Sequence, residues 1–187
     1  MKDSFKMFDP TSDNYEELPN VPGNYLAVLR PSSELPQTEI LPSYHTIVYK
    51  GNEYQILYTG ISNNGIRKRD YKQHFTGNAG KSTLRKSLGS LMGFHKIPRD
   101  KAKPENGKTK FNEEDETKLS SWMKENLLLL YSTDKNTGAE MKKWEQELIA
   151  EYNPPLNIQE NNNLINKEYR EMYMMVSSFQ FQWKKSY

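Results

Sequence analysis

The pattern of apolar and polar positions predicts several short strands that form a small antiparallel sheet. Apolar residues in 24–30 predict the first strand, and the segments 45–49 and 54–58 flank the turn-forming residues 50–53, as is typical of a β-hairpin. Residues 127–132 form a nearly continuous apolar run, which favours a buried strand. We therefore expect four strands, two of them joined as a hairpin.

Between the hairpin and the last strand, the pattern changes to helical spacing. Residues 65–75 carry many charges and no helix breaker, which favours a helix. A second helix is expected to begin at Ser82 or Thr83, because either side chain can cap it. It ends near residue 91, and its apolar positions are spaced by four and three residues: Leu84, Leu88 and Leu91.

Three further helices are predicted in the second half of the chain. Asn112, followed by four acidic residues, predicts a helix that ends near Asn126. Another covers about 137–152 and ends before Pro154. A C-terminal helix begins near Asn166, and its apolar stripe favours packing on the domain, with a dimer or partner helix as the alternative. The stripe contains Met172, Met175, Val176, Phe179 and Trp183.

The helix near 139–152 directs one carboxylate toward the core. Glu145 falls within the apolar arc of this helix, whereas Glu140, Glu147 and Glu151 point the other way. The arc consists of Met141, Trp144, Leu148, Ile149 and Tyr152. A carboxylate there is unfavourable unless it is paired with a cation. It is either a structural partner for Arg or Lys or a ligand for Mg²⁺, and the pattern alone leaves both open.

These elements predict an α/β fold of the α+β type, with a small central antiparallel sheet flanked by helices. We expect an irregular N-terminal arm at 1–21 and one domain at 22–158. That domain contains an inserted loop and strand at about 31–57 and a basic loop at 95–110. Residues 159–187 are expected to form a C-terminal helical extension.

The charges are strongly segregated along the chain. Residues 65–110 carry 13 basic and 3 acidic side chains, although the whole chain has a net charge of only +2. This is typical of a protein with a polyanion partner, and the alternative is a solvated lysine-rich surface.

The chain contains no cysteine, which excludes disulfides and thiolate metal sites. Its first residues contain no apolar signal core, and its longest uninterrupted apolar run is 127–131. We therefore expect a cytoplasmic protein that neither spans a membrane nor carries a classical export signal.

Five elements of the chain together resemble the GIY-YIG nuclease family. Each is a weak signal by itself, but they occur in the order that the family shows and cover roughly residues 22–158. They are Gly23-Asn24-Tyr25, Tyr58-Thr59-Gly60, a basic helix with Arg69 and His74, a helix with Glu145, and Pro155-Leu156-Asn157. The segment 77–89 further resembles a bacterial subgroup of this family.

The resemblance implies metal-dependent hydrolysis of DNA phosphodiester bonds. Glu145 would hold one Mg²⁺ or Mn²⁺ ion, and Tyr25 or Tyr58, helped by His74, would orient or deprotonate the attacking water. A tyrosine that acts as a base at neutral pH needs nearby cations that lower its pKa. Arg69 would stabilise charge on the phosphate, and Asn157 would support the site by hydrogen bonding.

The DNA partner implied by the resemblance is double-stranded or branched, and a homodimer is a possibility that the chain leaves open. The basic region would hold the DNA backbone with release of counterions. The residues expected to contact DNA are Arg67, Lys68, Lys72, Lys81, Arg85 and Lys86.

Three features depart from the family pattern. Asn24 and Thr59 replace the usual isoleucines, and the long spacing between the tyrosines is assigned to the insertion. The basic helix has Arg69 and His74 five residues apart, where the family commonly has four. On a regular α-helix Arg67, not Arg69, would share a face with His74. Arg69 is preferred because it follows Ile66 by three residues, and Arg67 is the alternative.

Two other functions compete with nuclease activity. Gly80-Lys81-Ser82 suggests a phosphate-binding loop of an NTPase, but Phe75 stands where such a loop requires its first glycine. The stronger alternative is a nucleic-acid-binding module on the same fold that does not cut.

Overall fold

The computed structural model describes residues 4–135 and 137–182, with side chains described as far as Met174. It contains one sheet of five strands and a separate small hairpin of two strands. The five strands are β1 (Lys6–Phe8), β2 (Gly23–Leu29), β3 (Thr46–Tyr49), β4 (Asn52–Ser62) and β7 (Leu127–Ser132), and the hairpin is formed by β5 (Ile97–Pro98) and β6 (Thr109–Lys110). The five form one antiparallel sheet in the order β1-β7-β2-β4-β3, which confirms the predicted mixed architecture.

Four α-helices occupy the predicted positions. They are α1 (Thr83–Leu91), α2 (Glu113–Asn126), α3 (Gly138–Tyr152) and α4 (Lys167–Gln182). The first three begin at capping side chains that accept a backbone N–H, namely Ser82, Asn112 and Thr137. The apolar arc predicted for α3 is buried, and Glu145 lies half-buried at its border.

Strand β2 lies at the middle of the sheet, and all of its residues are buried. Alternate side chains of a strand point to opposite faces, and β2 accordingly contributes to two apolar clusters. Tyr25 and Ala27 belong to the first cluster, which also contains residues of helices α1, α2 and α4. Leu26 and Val28 belong to the second, which α3 covers with Trp144 and other residues. The sheet is thus covered by helices on both faces.

The helix predicted at 65–75 exists, but its geometry is not that of an α-helix. Arg67–Phe75 forms a π-helix, the class of helix in which a backbone N–H bonds to the carbonyl five residues earlier. The N–H of Thr76, for example, donates to the carbonyl of Tyr71 at 3.0 Å. This wider helix changes which of its side chains share a face.

Two predictions of irregular structure are wrong. Residues 6–8 of the N-terminal arm form β1, which pairs with Leu129–Tyr131 of β7 at the edge of the sheet. The basic segment 95–110 contains the hairpin of β5 and β6, with Ile97 opposite Lys110. Strands of two or three residues are too short to show a periodic pattern. Their pairing with neighbouring strands specifies them instead.

The described part of α4 packs against the domain through buried Tyr169 and Tyr173. Met172 is partly buried against the same cluster. The side chains of Met175, Val176 and Phe179, and all of Trp183, lie outside the described residues. Within the residues that the structure describes, none of the helices has the length and apolar character needed to cross a membrane.

Candidate active site

Tyr25 and Tyr58 lie together on one face of the sheet. Tyr25 is opposite Gly60 in the register of β2 and β4, and Tyr58 is opposite Ala27. The two rings stack with their centroids 6.2 Å apart. A side chain at position 60 would collide with Tyr25, because a Cβ there would lie 2.4 Å from the Tyr25 hydroxyl oxygen. Gly60 therefore leaves room for the Tyr25 ring.

His74 joins Tyr25 to the start of α1. The Tyr25 hydroxyl and His74 Nε2 are hydrogen-bonded at 2.7 Å, and His74 Nδ1 is hydrogen-bonded to Ser82 Oγ at 2.6 Å. Burial, with the charges of Arg69 and Arg85, lowers the pKa of His74 well below its ordinary value. The imidazole is therefore neutral at neutral pH, and one of its ring nitrogens is an acceptor.

The π-helix places Arg69 on the same side as His74. Residues five apart approach each other when each backbone bond spans five residues. Arg69 Nη1 donates to Gln73 Oε1 at 2.8 Å and to the Lys81 carbonyl at 2.9 Å. Its charge acts on Tyr25, Tyr58 and Glu145. Arg69 thus lies beside the tyrosines.

Arg67 points away from this group. Its guanidinium donates to the carbonyl of Leu18, with Nε at 2.8 Å, and to the carbonyl of Glu16. These contacts attach the N-terminal segment to the π-helix. The structure therefore places the preferred arginine near His74 and gives the alternative a structural contact.

The pKa values of both tyrosines are raised, not lowered. Burial raises the pKa of Tyr58 to about 12, although the Arg69 charge acts in the opposite direction. Burial also raises the pKa of Tyr25 well above its ordinary value. The expected lowering by cations is therefore outweighed by desolvation. Both phenols keep their protons at neutral pH in the free protein.

Glu145 lines a polar cleft of about 50 Å³ together with Tyr58 and Asn157. Lys142 Nζ lies 3.1 Å from Glu145 Oε2 and 2.5 Å from Glu160 Oε2, and so it bridges the two carboxylates. Burial raises the pKa of Glu145, and the Lys142 ammonium partly offsets this. Both interpretations of this carboxylate, as an ion-pair partner and as a metal ligand, are thus compatible with its surroundings.

Glu145 is the residue of the cleft that could hold a divalent ion with few protein ligands. No group of three His, Cys, Asp or Glu side chains able to hold a metal exists within 4–135 and 137–182. Mg²⁺ is commonly held by one or two carboxylates and completes its shell with water and substrate phosphate oxygens. Glu145 offers one carboxylate in a polar cleft, where the Lys142 ammonium is its present partner.

Asn157 holds the end of β4 in place. Its Oδ1 accepts the N–H of Thr59 at 2.9 Å, and its Nδ2 donates to the Thr59 carbonyl at 2.9 Å. Both bonds are buried. The Leu57 carbonyl, at a bulge where β4 has one extra residue relative to β2, accepts the N–H of Leu156. The segment around residue 156 therefore positions Tyr58 from both sides.

Replacing Asn157 with alanine should lower the free energy of unfolding by about 2–4 kcal/mol, because two buried backbone groups of Thr59 are left without partners. Urea unfolding followed by circular dichroism measures this change. Asn162→Ala is the matched control, since Asn162 is exposed. Equal stabilities of the two variants would contradict a supporting role for Asn157.

A family model of the GIY-YIG catalytic domain matches residues 23–177 of the chain. The chain belongs to this family. The match includes every residue of the tyrosine, arginine, histidine, glutamate and asparagine set described above, and it extends into α4. No significant match to the chain was found among curated proteins or among solved structures. The resemblance of 77–89 to a bacterial subgroup of the GIY-YIG family stays a prediction.

Asp70 lies in the candidate site beside His74, although the sequence did not indicate it. It is fully buried, its Oδ1 lies 3.7 Å from His74 Nε2, and neither oxygen accepts a hydrogen bond from a described residue. Burial raises the pKa of Asp70 well above its ordinary value. The only sequence signal is an acidic residue directly after the chosen arginine, which also suits an exposed helix position.

Replacing Asp70 with asparagine should stabilise the protein at about pH 8. Because the folded-state pKa is raised, the folded protein binds a proton that the unfolded chain has released, and stability falls as the pH rises. The Asp70→Asn variant does not lose stability in this way as the pH rises. Its free energy of unfolding should therefore exceed that of the native protein by less toward about pH 4. Urea unfolding at both pH values tests this, with the exposed Asp134→Asn as control. A difference between native and variant that is independent of pH would refute the assignment.

The predicted DNA-contacting residues fall into two groups. Lys68, Lys72 and Lys81 are exposed, and Lys86 is half-buried. Arg85 is completely buried and bonded to Glu116, with Nη2 and Oε2 2.7 Å apart. Its assignment as a DNA contact is therefore wrong, because its charge is already neutralised inside the protein. Arg67 is also engaged, by the carbonyls of Leu18 and Glu16.

Proposed function

We propose that this chain is a metal-dependent endonuclease that hydrolyses phosphodiester bonds of double-stranded or branched DNA. One observation carries the proposal: Tyr58 and Glu145 line one polar cleft, and Tyr25, His74 and Arg69 lie beside Tyr58, in a chain of the GIY-YIG family. These groups could serve as acid, base and charge stabiliser for phosphodiester hydrolysis.

The tyrosines and His74 would activate the attacking water. When Nδ1 of the neutral imidazole donates to Ser82, Nε2 is the acceptor for the Tyr25 hydroxyl. His74 can then take a proton from Tyr25 as that phenol accepts one from water. Tyr58 lines the cleft beside Glu145 and is placed to orient the water. This relay avoids a free phenolate, which the raised pKa values of the tyrosines disfavour.

Arg69 would stabilise the charge that develops on the scissile phosphate. The hydrogen bonds of Nη1 to Gln73 and Lys81 hold the guanidinium, which favours a fixed geometry. Glu145 would hold Mg²⁺ or Mn²⁺, which supplies Lewis-acid polarisation of the phosphate when it is bound. In this arrangement Lys142 would keep Glu160 as its partner.

The proposal is tested by incubating the purified protein with supercoiled plasmid and with a four-way junction. We expect nicked or linear plasmid in the presence of Mg²⁺ or Mn²⁺ and intact plasmid when EDTA is added. A mock purification from cells without the gene controls for contaminating nucleases. DNA binding without cleavage under all metal conditions would refute the proposal in favour of a binding module that does not cut.

A further inference from the structure

The hairpin of β5 and β6 is firmly attached to the domain that carries the cleft. At its base, the Phe94 and Phe111 rings pack edge to face with centroids 5.8 Å apart. Phe111 is buried against Gly89 of α1, where a Cβ would lie 2.2 Å from the Phe111 ring. The Phe111 N–H donates to Glu116 of α2 at 3.1 Å. These contacts hold the hairpin on α1 and α2.

Arg99 joins this hairpin to the loop before α1. Its N–H donates to the carbonyl of Lys108 at 2.8 Å, and its Nη1 donates to the carbonyl of Gly80 at 3.0 Å. The aliphatic part of Arg99 lies against Gly80, since a Cβ there would be 2.6 Å from Arg99 Cδ. The same loop contacts the candidate active site on its other side. There the Lys81 carbonyl accepts a hydrogen bond from Arg69, and Ser82 is hydrogen-bonded to His74.

Three cations come together where α1 meets the hairpin: Lys86, Lys96 and Arg99, which we call the cationic cluster. Lys86 lies within electrostatic reach of both Lys96 and Arg99. All three side chains are half-buried. Burial and then the neighbouring positive charge lower the pKa values of Lys86 and Lys96.

The cationic cluster is not neutralised by acidic side chains of the described residues. Among residues 4–135 and 137–182, no carboxylate lies within 4.0 Å of the cluster's charged groups. By contrast, Arg30 is paired with Asp9, and Arg85 is paired with Glu116. Like charges held together without a counterion are unfavourable, so the cluster is suited to an anion.

We propose that Lys86, Lys96 and Arg99 bind a backbone phosphate of double-stranded DNA, at a position separate from the cleft. The inference rests on the proposed nuclease function, since that function makes DNA the partner. A DNA backbone is favoured over a lone anion because four exposed lysines extend the positive charge along the hairpin and the loop, against two exposed acids there, Asp100 and Glu105. These lysines are Lys81, Lys101, Lys103 and Lys108.

The position of the cluster also suits a duplex whose other end enters the cleft. The loop with Gly80 and Lys81 separates the two places and contacts Arg99 on one side and Arg69 on the other. A DNA segment that crosses this loop would meet both guanidinium groups. The cluster would then hold the duplex while its scissile phosphate lies at Arg69.

The test is the salt dependence of duplex binding, measured by fluorescence anisotropy in EDTA so that no cleavage occurs. The variant Lys86→Gln/Lys96→Gln is compared with Lys118→Gln/Lys167→Gln, which removes the same charge from two lysines that have acidic partners. We expect the cluster variant to bind at least about tenfold more weakly at low salt. The slope of log K against log salt should fall by about 0.9 for each phosphate that the variant no longer neutralises.

A charge-preserving variant separates charge from folding. Lys86→Arg/Lys96→Arg should keep the native slope, and circular dichroism verifies that each variant is folded.

The proposal is overturned if the cluster variant and the control variant bind the duplex with the same affinity. It is also overturned if ATP competes with the duplex for the cluster, since the site would then take free nucleotides. Native protein that binds duplex but never cuts it would refute the nuclease function, while the slopes would still decide the role of the cluster. Native protein that does not bind duplex would overturn both.

Discussion

Replacing Glu145 with glutamine is expected to lower the rate of DNA cleavage by about 10³-fold, which corresponds to about 4 kcal/mol of transition-state stabilisation. Glutamine keeps the size of the side chain but lacks the negative charge that a divalent ion needs. Glu145 lines the cleft with Tyr58 and Asn157, and the other carboxylate of the cleft, Glu160, is exposed and paired with Lys142. The loss should appear in kcat measured with saturating DNA and Mg²⁺.

Glu147→Gln provides the matched control, because Glu147 is exposed on the same helix and points away from the cleft. Its cleavage rate should equal that of the native protein. Duplex affinity in EDTA should be little changed in Glu145→Gln, since no metal bridges protein and DNA under that condition. Undiminished cleavage by this variant would show that the metal is held elsewhere or that the activity belongs to a contaminant.

The sequence predicted the long elements well because each carries its own periodic or capping signal. The strand at β7 and the helices α2 and α3 begin and end almost where the pattern placed them. The short strands β1, β5 and β6 were missed because tertiary pairing, not local pattern, specifies them. Propensity arguments cannot identify such elements without their partners.

The arginine of the site could not be assigned from α-helical periodicity. On an α-helix Arg67 would share a face with His74, and the periodic argument therefore disfavoured Arg69. The π-helix reverses this, because residues five apart approach each other along it. Its first residue, Arg67, bonds to Leu18 and Glu16, which lie 49 and 51 residues away in sequence. No local pattern reveals them.

Charge counting has a related limit. The 13 basic residues of 65–110 include the buried Arg85, the anchored Arg67 and the cationic cluster. A count along the sequence treats each of them as one available positive charge, although their surroundings differ. Burial and partners, which come from the fold, decide which charges remain available for DNA.

Replacing Arg85 with alanine is expected to lower the free energy of unfolding by about 3–5 kcal/mol, because its partners are left buried and unpaired. Arg85 is 0% exposed and donates to Glu116 Oε2, with Nη2 at 2.7 Å, and to the His74 carbonyl, with Nη1 at 2.7 Å. Glu116 also accepts the N–H of Ala79 at 2.8 Å. The substitution should therefore loosen the π-helix and the loop before α1 together.

Urea unfolding compares Arg85→Ala with Lys118→Ala, which breaks the exposed ion pair with Glu114 and should have no measurable effect. Arg85→Lys should recover little of the stability, because an ammonium cannot reproduce the planar set of bonds to Glu116, His74 and Ser120. If Arg85→Ala is as stable as the native protein but binds DNA more weakly, Arg85 must reach the DNA after all. The loss of stability expected here instead makes Arg85 the residue that holds His74 and the neighbouring loop in position for Arg69 and Tyr25.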